Sequence, residues 1–462
     1  MEQSHLAALE DFLKNHPGIK CTLPSSPQYL ADRKVFILSR KANPLAIAHP
    51  ETAEQVSVLV QFLRSNGIKF TVRAGGHHLL GFSIEEGALT IDMRAFASVD
   101  IAANRETATV GAGILQHELC NALWDKGLAT PTGAIPSVGY LGWAMYGGYG
   151  PFSSHWGLGV DQIVAATLVD ASGAIVRADD TLLKAVRGAG GAFGIIIDVS
   201  IKVYHLKSLL TGAIFYDSQE ISKTFMDYNA KYQEISKHGL PKQLTLQQMV
   251  VNGPPGRVFC VSFMWSSESI EEGYHWCNKI ACLGTVIMNT VEVTTIPKWY
   301  SGNAALIPST MYGSFRTHSV KDMTQEVTGC IGRALEKLPA DPGTMFSIHQ
   351  LRDTSETPAS ASVFSTREPH FMLEIVGCAT TTEKAETSEQ WAFDTWAEVK
   401  NTNSSNLLDH VYISLDHVEY PCDLHTLTRY FGDYAQDILT TKKDYDPENV
   451  FGLTVPRLGN LL

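Results

Sequence analysis

The sequence predicts an α+β chain of two packed domains. Its 462 residues, 44% hydrophobic and 18% charged, suffice for more than one sizeable core. Over roughly the first 200 residues, short apolar alternations interleave with helical periodicities. Near Tyr204 the texture changes, because glycine density falls and longer alternations begin.

In order, an opening helical segment precedes His49-Pro50-Glu51-Thr52, which has the chemistry of a helix start. Val56, Leu59, Val60 and Leu63 then recur at i, i+3, i+4 and i+7, and Asn66-Gly67 stops the helix. Ile68, Phe70 and Val72 alternate as a strand running into Arg73-Ala74-Gly75-Gly76-His77-His78-Leu79-Leu80-Gly81. The paired glycines allow positive φ, so N–H groups can converge on a phosphate while Arg73 supplies opposite charge. Residues 89–93 and 108–111 read as strands, 115–124 as an amphipathic helix, and 163–168 with 174–177 as a hairpin around Asp170-Ala171-Ser172-Gly173. Three glycine clusters, from Gly133 to Gly150, at Gly157 and Gly159, and from Gly188 to Gly194, exceed what turns alone require and imply loops pressed on a ligand. Residues 258–264 and 371–375 are strands of the second domain. A tail from about Leu415, helical over 424–439, is placed to return to the first.

The 36 Lys+Arg against 48 Asp+Glu leave a net charge of −12, which argues against nucleic acid or an anionic membrane and favours a small neutral or cationic substrate. No run spans a bilayer, and the start lacks a basic-then-apolar leader, so an intracellular protein is expected. The eight cysteines are scattered without zinc spacing, which predicts buried thiols and no metal site. A Rossmann fingerprint is absent, since Gly188-Ala189-Gly190-Gly191-Ala192-Phe193-Gly194 is wrongly spaced, and no Walker, His-Glu-x-x-His or Gly-x-Ser-x-Gly motif occurs.

Taken together, Val72–His77, Val138-Gly139 with Gly142, Gly147-Gly148-Tyr149-Gly150, Gly157–Ile163, Leu168–Gly173, Ala185–Ile195 and Tyr445–Phe451 resemble the FAD-linked oxidases of the berberine bridge enzyme group, in the vanillyl-alcohol oxidase superfamily. The resemblance covers the whole chain and is strongest up to Tyr204. It implies a PCMH-type FAD-binding domain of two subdomains over 1–205, with its core at about 40–205. A substrate domain over 206–414, an antiparallel sheet flanked by helices, and a returning segment over 415–462 complete the expectation. His77 is implied to bond covalently to the flavin 8α-methyl, with His78 a bystander. Many relatives have a second, cysteine tether where this chain has Ile135, so a single bond is expected. Further implied FAD contacts are Arg73, Ala74, Gly75, Gly76, Gly81 and Phe82; Val138, Gly139, Gly142 and Trp143; Gly148, Tyr149 and Gly150; Val160, Asp161 and Ile163; and Gly194, Ile196 and Asn449. Val138 occupies the position said to admit O₂ in oxidases, although a β-branched core residue reads equally well there. Trp143 replaces a histidine found near the flavin pyrimidine in berberine bridge enzyme.

The resemblance also matches 367–375 to a strand of the substrate domain. With period two, His370, Met372 and Glu374 share one face, while Phe371, Leu373 and Ile375 share the core face. A carboxylate in an apolar pocket has its pKa raised, so Glu374 is expected as a general base near neutral pH, unless it is merely a solvated polar residue. Tyr412 or Tyr434 could serve instead as phenolate, because Ser414 and Tyr434 replace the family's asparagines. The expected activity is oxidation of a lipophilic small molecule, favoured by Trp143, Trp299, Tyr300, Phe371 and Met372, with O₂ as electron acceptor. Non-redox isomerisation or cyclisation, or flavin binding without turnover, are the alternatives.

Overall fold

In the computed structural model, which describes residues 2–253, 256–352, 356–417, 422–459 and 461–462, the start signal at Thr52 operates as an N-cap. Its hydroxyl accepts the Gln55 N–H at 3.3 Å, and the helix Ala53–Ser65 follows with Val56, Leu59, Val60 and Leu63 buried. That helix packs on a four-stranded sheet of β1 (Lys20–Thr22), β2 (Ala46–His49), β3 (Phe70–Arg73) and β4 (Leu89–Asp92), in the order β1-β2-β4-β3. The pairs β2–β4 and β4–β3 are parallel. Alternation anticipates one wet face here, but all of β4 and Thr71 of β3 are buried, because a parallel sheet is covered on both sides.

A second, antiparallel sheet begins with β5 (Val99–Ile101) and β6 (Thr107–Gly111). After β7 (Leu128–Ala129), which pairs with β11 (Tyr204–His205), it is completed by β8 (Ile163–Val169), β9 (Ile175–Arg177) and β10 (Ile195–Lys202). The anticipated hairpin is β8–β9.

The remaining strands, β12 (Leu209–Tyr216), β13 (Leu244–Gly253), β14 (Gly256–Trp265), β15 (Val286–Asn289), β16 (Glu292–Thr294), β17 (Tyr312–Val320), β18 (Thr344–Leu351) and β19 (His370–Ala379), form an eight-stranded antiparallel sheet. Its helix-covered face buries Phe346, Ile348, Phe371, Leu373 and Ile375 with Phe225, Ile331 and Trp391. Its other face carries Leu351, Met372 and Val376 into a smaller cluster with Phe36, Tyr149, Val160, Phe364 and Tyr412. That cluster joins the first half of the chain to the sheet.

The tail is two helices, Leu424–Phe431 and Ala435–Tyr445, where one was expected. Gly432, at φ +53, breaks it, and a Cβ there would lie 2.7 Å from His410 Nε2. Leu427, Tyr430, Ile438 and Val455 of this tail share a core with Val110, Ile163 and Phe193. All eight cysteines are unpaired; Cys282 is exposed and Cys21 partly so. Among the described residues no helix is long and apolar enough to cross a membrane.

Candidate functional site

The loop after β3 is held from beneath. Arg73 Nε donates to Asp92 Oδ2 at 3.1 Å, a second guanidinium nitrogen reaches the same oxygen, and a third contact goes to the Asp32 carbonyl. The expected phosphate partner is therefore neutralised by the next strand in parallel register, and Arg73 braces the loop instead. Gly75 meets the 135–139 turn so closely that a Cβ would stand 2.5 Å from Gly139 N and 2.6 Å from the Ser137 carbonyl. Ala74 touches Gly139 on the same seam, and Gly76 turns at φ +70.

This clasp sets Ser137 Oγ 2.9 Å from His77 Nε2, while Phe36 stacks on the imidazole with centroids 4.3 Å apart. Burial lowers the His77 pKa to about 4, so the ring is neutral at pH 7. His78 accepts the Leu80 N–H at Nδ1, and burial, with Arg457 and Arg40 nearby, lowers it to about 3. Phe82 lies between those two guanidiniums, 3.8 Å from Arg457 and 4.5 Å from Arg40, and both pair with Glu85. Gly81, at φ +71, packs on the Arg40 side chain.

Ile135 accepts the Val138 N–H at 3.3 Å, closing the turn that leads through Gly139 into the helix Tyr140–Ala144. On that helix Gly142 is exposed, and no heavy atom lies within 4 Å of a Cβ placed there. Trp143 turns inward: its indole N–H donates to the Tyr149 carbonyl at 3.0 Å, and its rings fill space left by Gly148, Gly150 and Gly159. Asn449, at φ +53, has a buried Oδ1 without a hydrogen-bond partner among the described residues.

Other expected contacts have partners within the protein. Asp161 pairs with Arg367 at 2.6 Å and accepts the Leu158 N–H. Val160 lies in the interdomain cluster, and Ile163 and Ile196 are buried in the core of the second sheet. A Cβ on Gly194 would lie 2.2 Å from Leu168 Cδ1, so the absence of a side chain lets the chain pack against β8 there.

On the eight-stranded sheet, β19 alternates as read, and His370, Met372 and Glu374 face away from the helix-covered core, toward Tyr149 and the first half of the chain. Glu374 accepts a 2.5 Å hydrogen bond from Ser347, directly opposite on β18, and lies 3.5 Å from His349 Nε2. Burial raises its pKa, but the bonds from His349 and Ser347 and the imidazole charge outweigh this, and the carboxyl lies below its ordinary value. The expectation of a raised pKa is thus reversed by two neighbours that the adjacent strand, β18, contributes. His370 is paired: Nδ1–H donates to the Glu368 carbonyl at 2.7 Å, which leaves Nε2 to accept the Tyr149 hydroxyl at 2.9 Å. Tyr149 therefore ties the 148–150 loop to the His370 face of the sheet.

The Tyr412 ring lies 4.9 Å from that of Tyr149, and burial raises its phenol to about 12, so it stays protonated. Tyr434 is not brought to this face; it packs under Lys184, 4.4 Å from its ring, because the Gly432 break redirects the tail. Phe371 faces the helices, and Tyr300 donates to the Gly133 carbonyl within an aromatic cluster that includes Trp299, so these three do not line the face. The sequence reading missed Ser137, Ser347 and His349. The last two alternate on β18 against Phe346 and Ile348, the same period-two signal that marked β19.

Residues 44–179 match the FAD binding domain family. The chain is 30% identical over 439 residues to FAD-linked oxidoreductase aurO of Gibberella zeae, covering 94% of this chain and 85% of that protein. It superposes on BBE-like 1 of Physcomitrella patens with a TM-score of 0.80 and 21% identity, over 97% of each chain. It also superposes on 6-hydroxy-D-nicotine oxidase from Arthrobacter nicotinovorans with a TM-score of 0.80 and 21% identity, over 94% of this chain and 96% of the other.

Proposed function

The chain belongs to the FAD-linked oxidoreductases, with the berberine bridge enzyme-like fold, and on that premise we propose that it oxidises a lipophilic alcohol, phenol or amine using O₂. The residues fit FAD. Gly142 leaves clear space beside the helix that Gly139 opens, Asn449 offers a buried acceptor in need of a donor, and neutral His77 stands at the loop that would hold the flavin by one covalent bond. When bound, FAD supplies the acceptor for the hydride leaving the substrate carbon.

The observation that carries the reading is Glu374 held as carboxylate on the face opposite the core, within reach of Ser347 and His349. It takes the proton of the substrate O–H or N–H. Tyr149, Tyr412, Met372 and Phe364 form an aromatic and apolar surround that excludes water and suits a lipophilic substrate. Val138, partly buried in the turn beside His77, is on this reading the position that governs O₂ access.

The test is O₂ uptake by the purified flavoprotein with a panel of lipophilic alcohols, phenols and amines. Uptake with matching H₂O₂ supports the reading. Product formed without O₂ uptake replaces it with non-redox isomerisation or cyclisation.

A further inference from the structure

Two groups hold the His77 imidazole in place: Phe36 against its face and Ser137 at one edge. Ser137 is there because its turn is clasped backbone to backbone against Gly75. Its residue is exposed to solvent, and its Oγ lies 2.9 Å from Nε2. No hydrogen bond reaches Nδ1 among the described residues. A neutral imidazole carries one N–H and one lone pair, and only the lone pair is nucleophilic. If the Ser137 hydroxyl donated to Nε2, Nδ1 would carry the proton and neither nitrogen would be free to attack. If Ser137 accepts, the proton sits on Nε2 and the lone pair on Nδ1.

We propose that Ser137 is a positioning residue for cofactor attachment: by accepting Nε2–H it selects the tautomer in which Nδ1 of His77 bonds to the flavin 8α carbon. The proposal rests on reading His77 as the tether. In the step, the 8α carbon gives up one proton and forms its bond to Nδ1, while the Nε2 proton leaves through the Ser137 hydroxyl to water. The flavin is left reduced by two electrons, and O₂ takes these with two protons as H₂O₂. Ser137 can afterwards turn its own O–H to the vacated Nε2 lone pair. Neutrality of the buried ring keeps the lone pair available at physiological pH.

The test compares wild type, Ser137→Ala, Ser137→Thr and His77→Ala for total flavin and for the fraction retained after acid precipitation, followed over time after adding FAD in air. In Ser137→Ala, FAD is expected to bind but to become acid-stable about tenfold more slowly, the factor expected for one lost hydrogen bond. Threonine restores the rate. Wild-type flavin that washes out in acid overturns the tether itself, and the proposal with it. A Ser137→Ala rate equal to wild type overturns only the role of Ser137. The wild-type flavopeptide gives an independent arm should the alanine variant not fold. Nuclear Overhauser contacts from the 8α protons to Cε1–H and the β protons of His77 support attachment at Nδ1; contacts to both ring hydrogens, Cε1–H and Cδ2–H, place it at Nε2 and overturn the proposal.

Discussion

The phenol of Tyr149 donates to Nε2 of His370 across 2.9 Å, and the second ring nitrogen determines this direction, because Nδ1 faces the Glu368 carbonyl at 2.7 Å and a carbonyl only accepts. One hydrogen bond thus ties the Gly148-Tyr149-Gly150 loop to the first residue of β19. Removing the phenolic oxygen with Tyr149→Phe leaves a buried acceptor unpaired. A stability loss of about 1–3 kcal/mol is expected in urea unfolding, and an unchanged midpoint would show that the bond contributes little.

The same burial gives stability a pH dependence with a definite sign. His370 and His77 fall from 6.5 to about 4 in the folded chain, so the unfolded chain binds protons more readily between those values. Their contribution is complete above pH 6.5, declines as the pH falls toward 4, and is level below. Urea midpoints measured from pH 7.5 to 4 should drop across that window, and His370→Gln should flatten part of the drop. A midpoint independent of pH from 6.5 to 4.5 would contradict this.

Glu374 gives the opposite signature in activity. Its folded pKa lies below the ordinary carboxylate value of 4.5, so the carboxyl stays ionised through the weakly acidic range. Flavin reduction by whichever substrate first bleaches the cofactor should show no acid limb attributable to this carboxyl until the pH falls below about 4.5, measured by anaerobic stopped flow. Glu374→Gln should slow the same step by about 10²–10⁴-fold. An acid limb near pH 6 that disappears in Glu374→Gln would show that the carboxyl is not held ionised as its contacts imply.

What was legible in the sequence was what depends on neighbours along the chain. The alternation of β19 separated Glu374 from Leu373 because period two needs no partner strand, and the glycine pair before His77 announced a tight loop by itself. Arg73 was misread because its counter-ion, Asp92, comes from a strand that joins it only through parallel pairing. The lowered pKa of Glu374 depends on His349 and Ser347, which the register of β18 sets beside it. Tyr434 lies away from the expected face because Gly432, at φ +53, ends the helix Leu424–Phe431.

Two glycines separate the architecture of the cofactor loops from their capacity. A methyl at Gly75 meets backbone at 2.5 Å, which cannot give way cheaply, so Gly75→Ala should lower the melting temperature of the protein and its flavin content together. A methyl at Gly142 meets nothing within 4 Å and sits in a helix, where alanine is favoured. Gly142→Ala should therefore leave the flavin-free protein at least as stable while lowering the flavin retained on gel filtration. Full retention in Gly142→Ala would remove that glycine from the cradle.

The join between the two halves rests on a sheltered ion pair. Asp161 and Arg367 meet at 2.6 Å with side chains only 1% and 16% exposed, and Asp161 also caps the Leu158 N–H. Taking away the guanidinium leaves a carboxylate in low dielectric, which costs more than the pair itself contributes. Arg367→Met should destabilise the chain by about 3–5 kcal/mol in urea unfolding. Disrupting the exposed Arg64–Glu448 pair with Arg64→Ala should leave the midpoint nearly where it was, since water already screens it. Equal effects at the two pairs would mean that Arg367 acts through packing on Phe364, 5.3 Å from its ring, and not through the buried charge of Asp161.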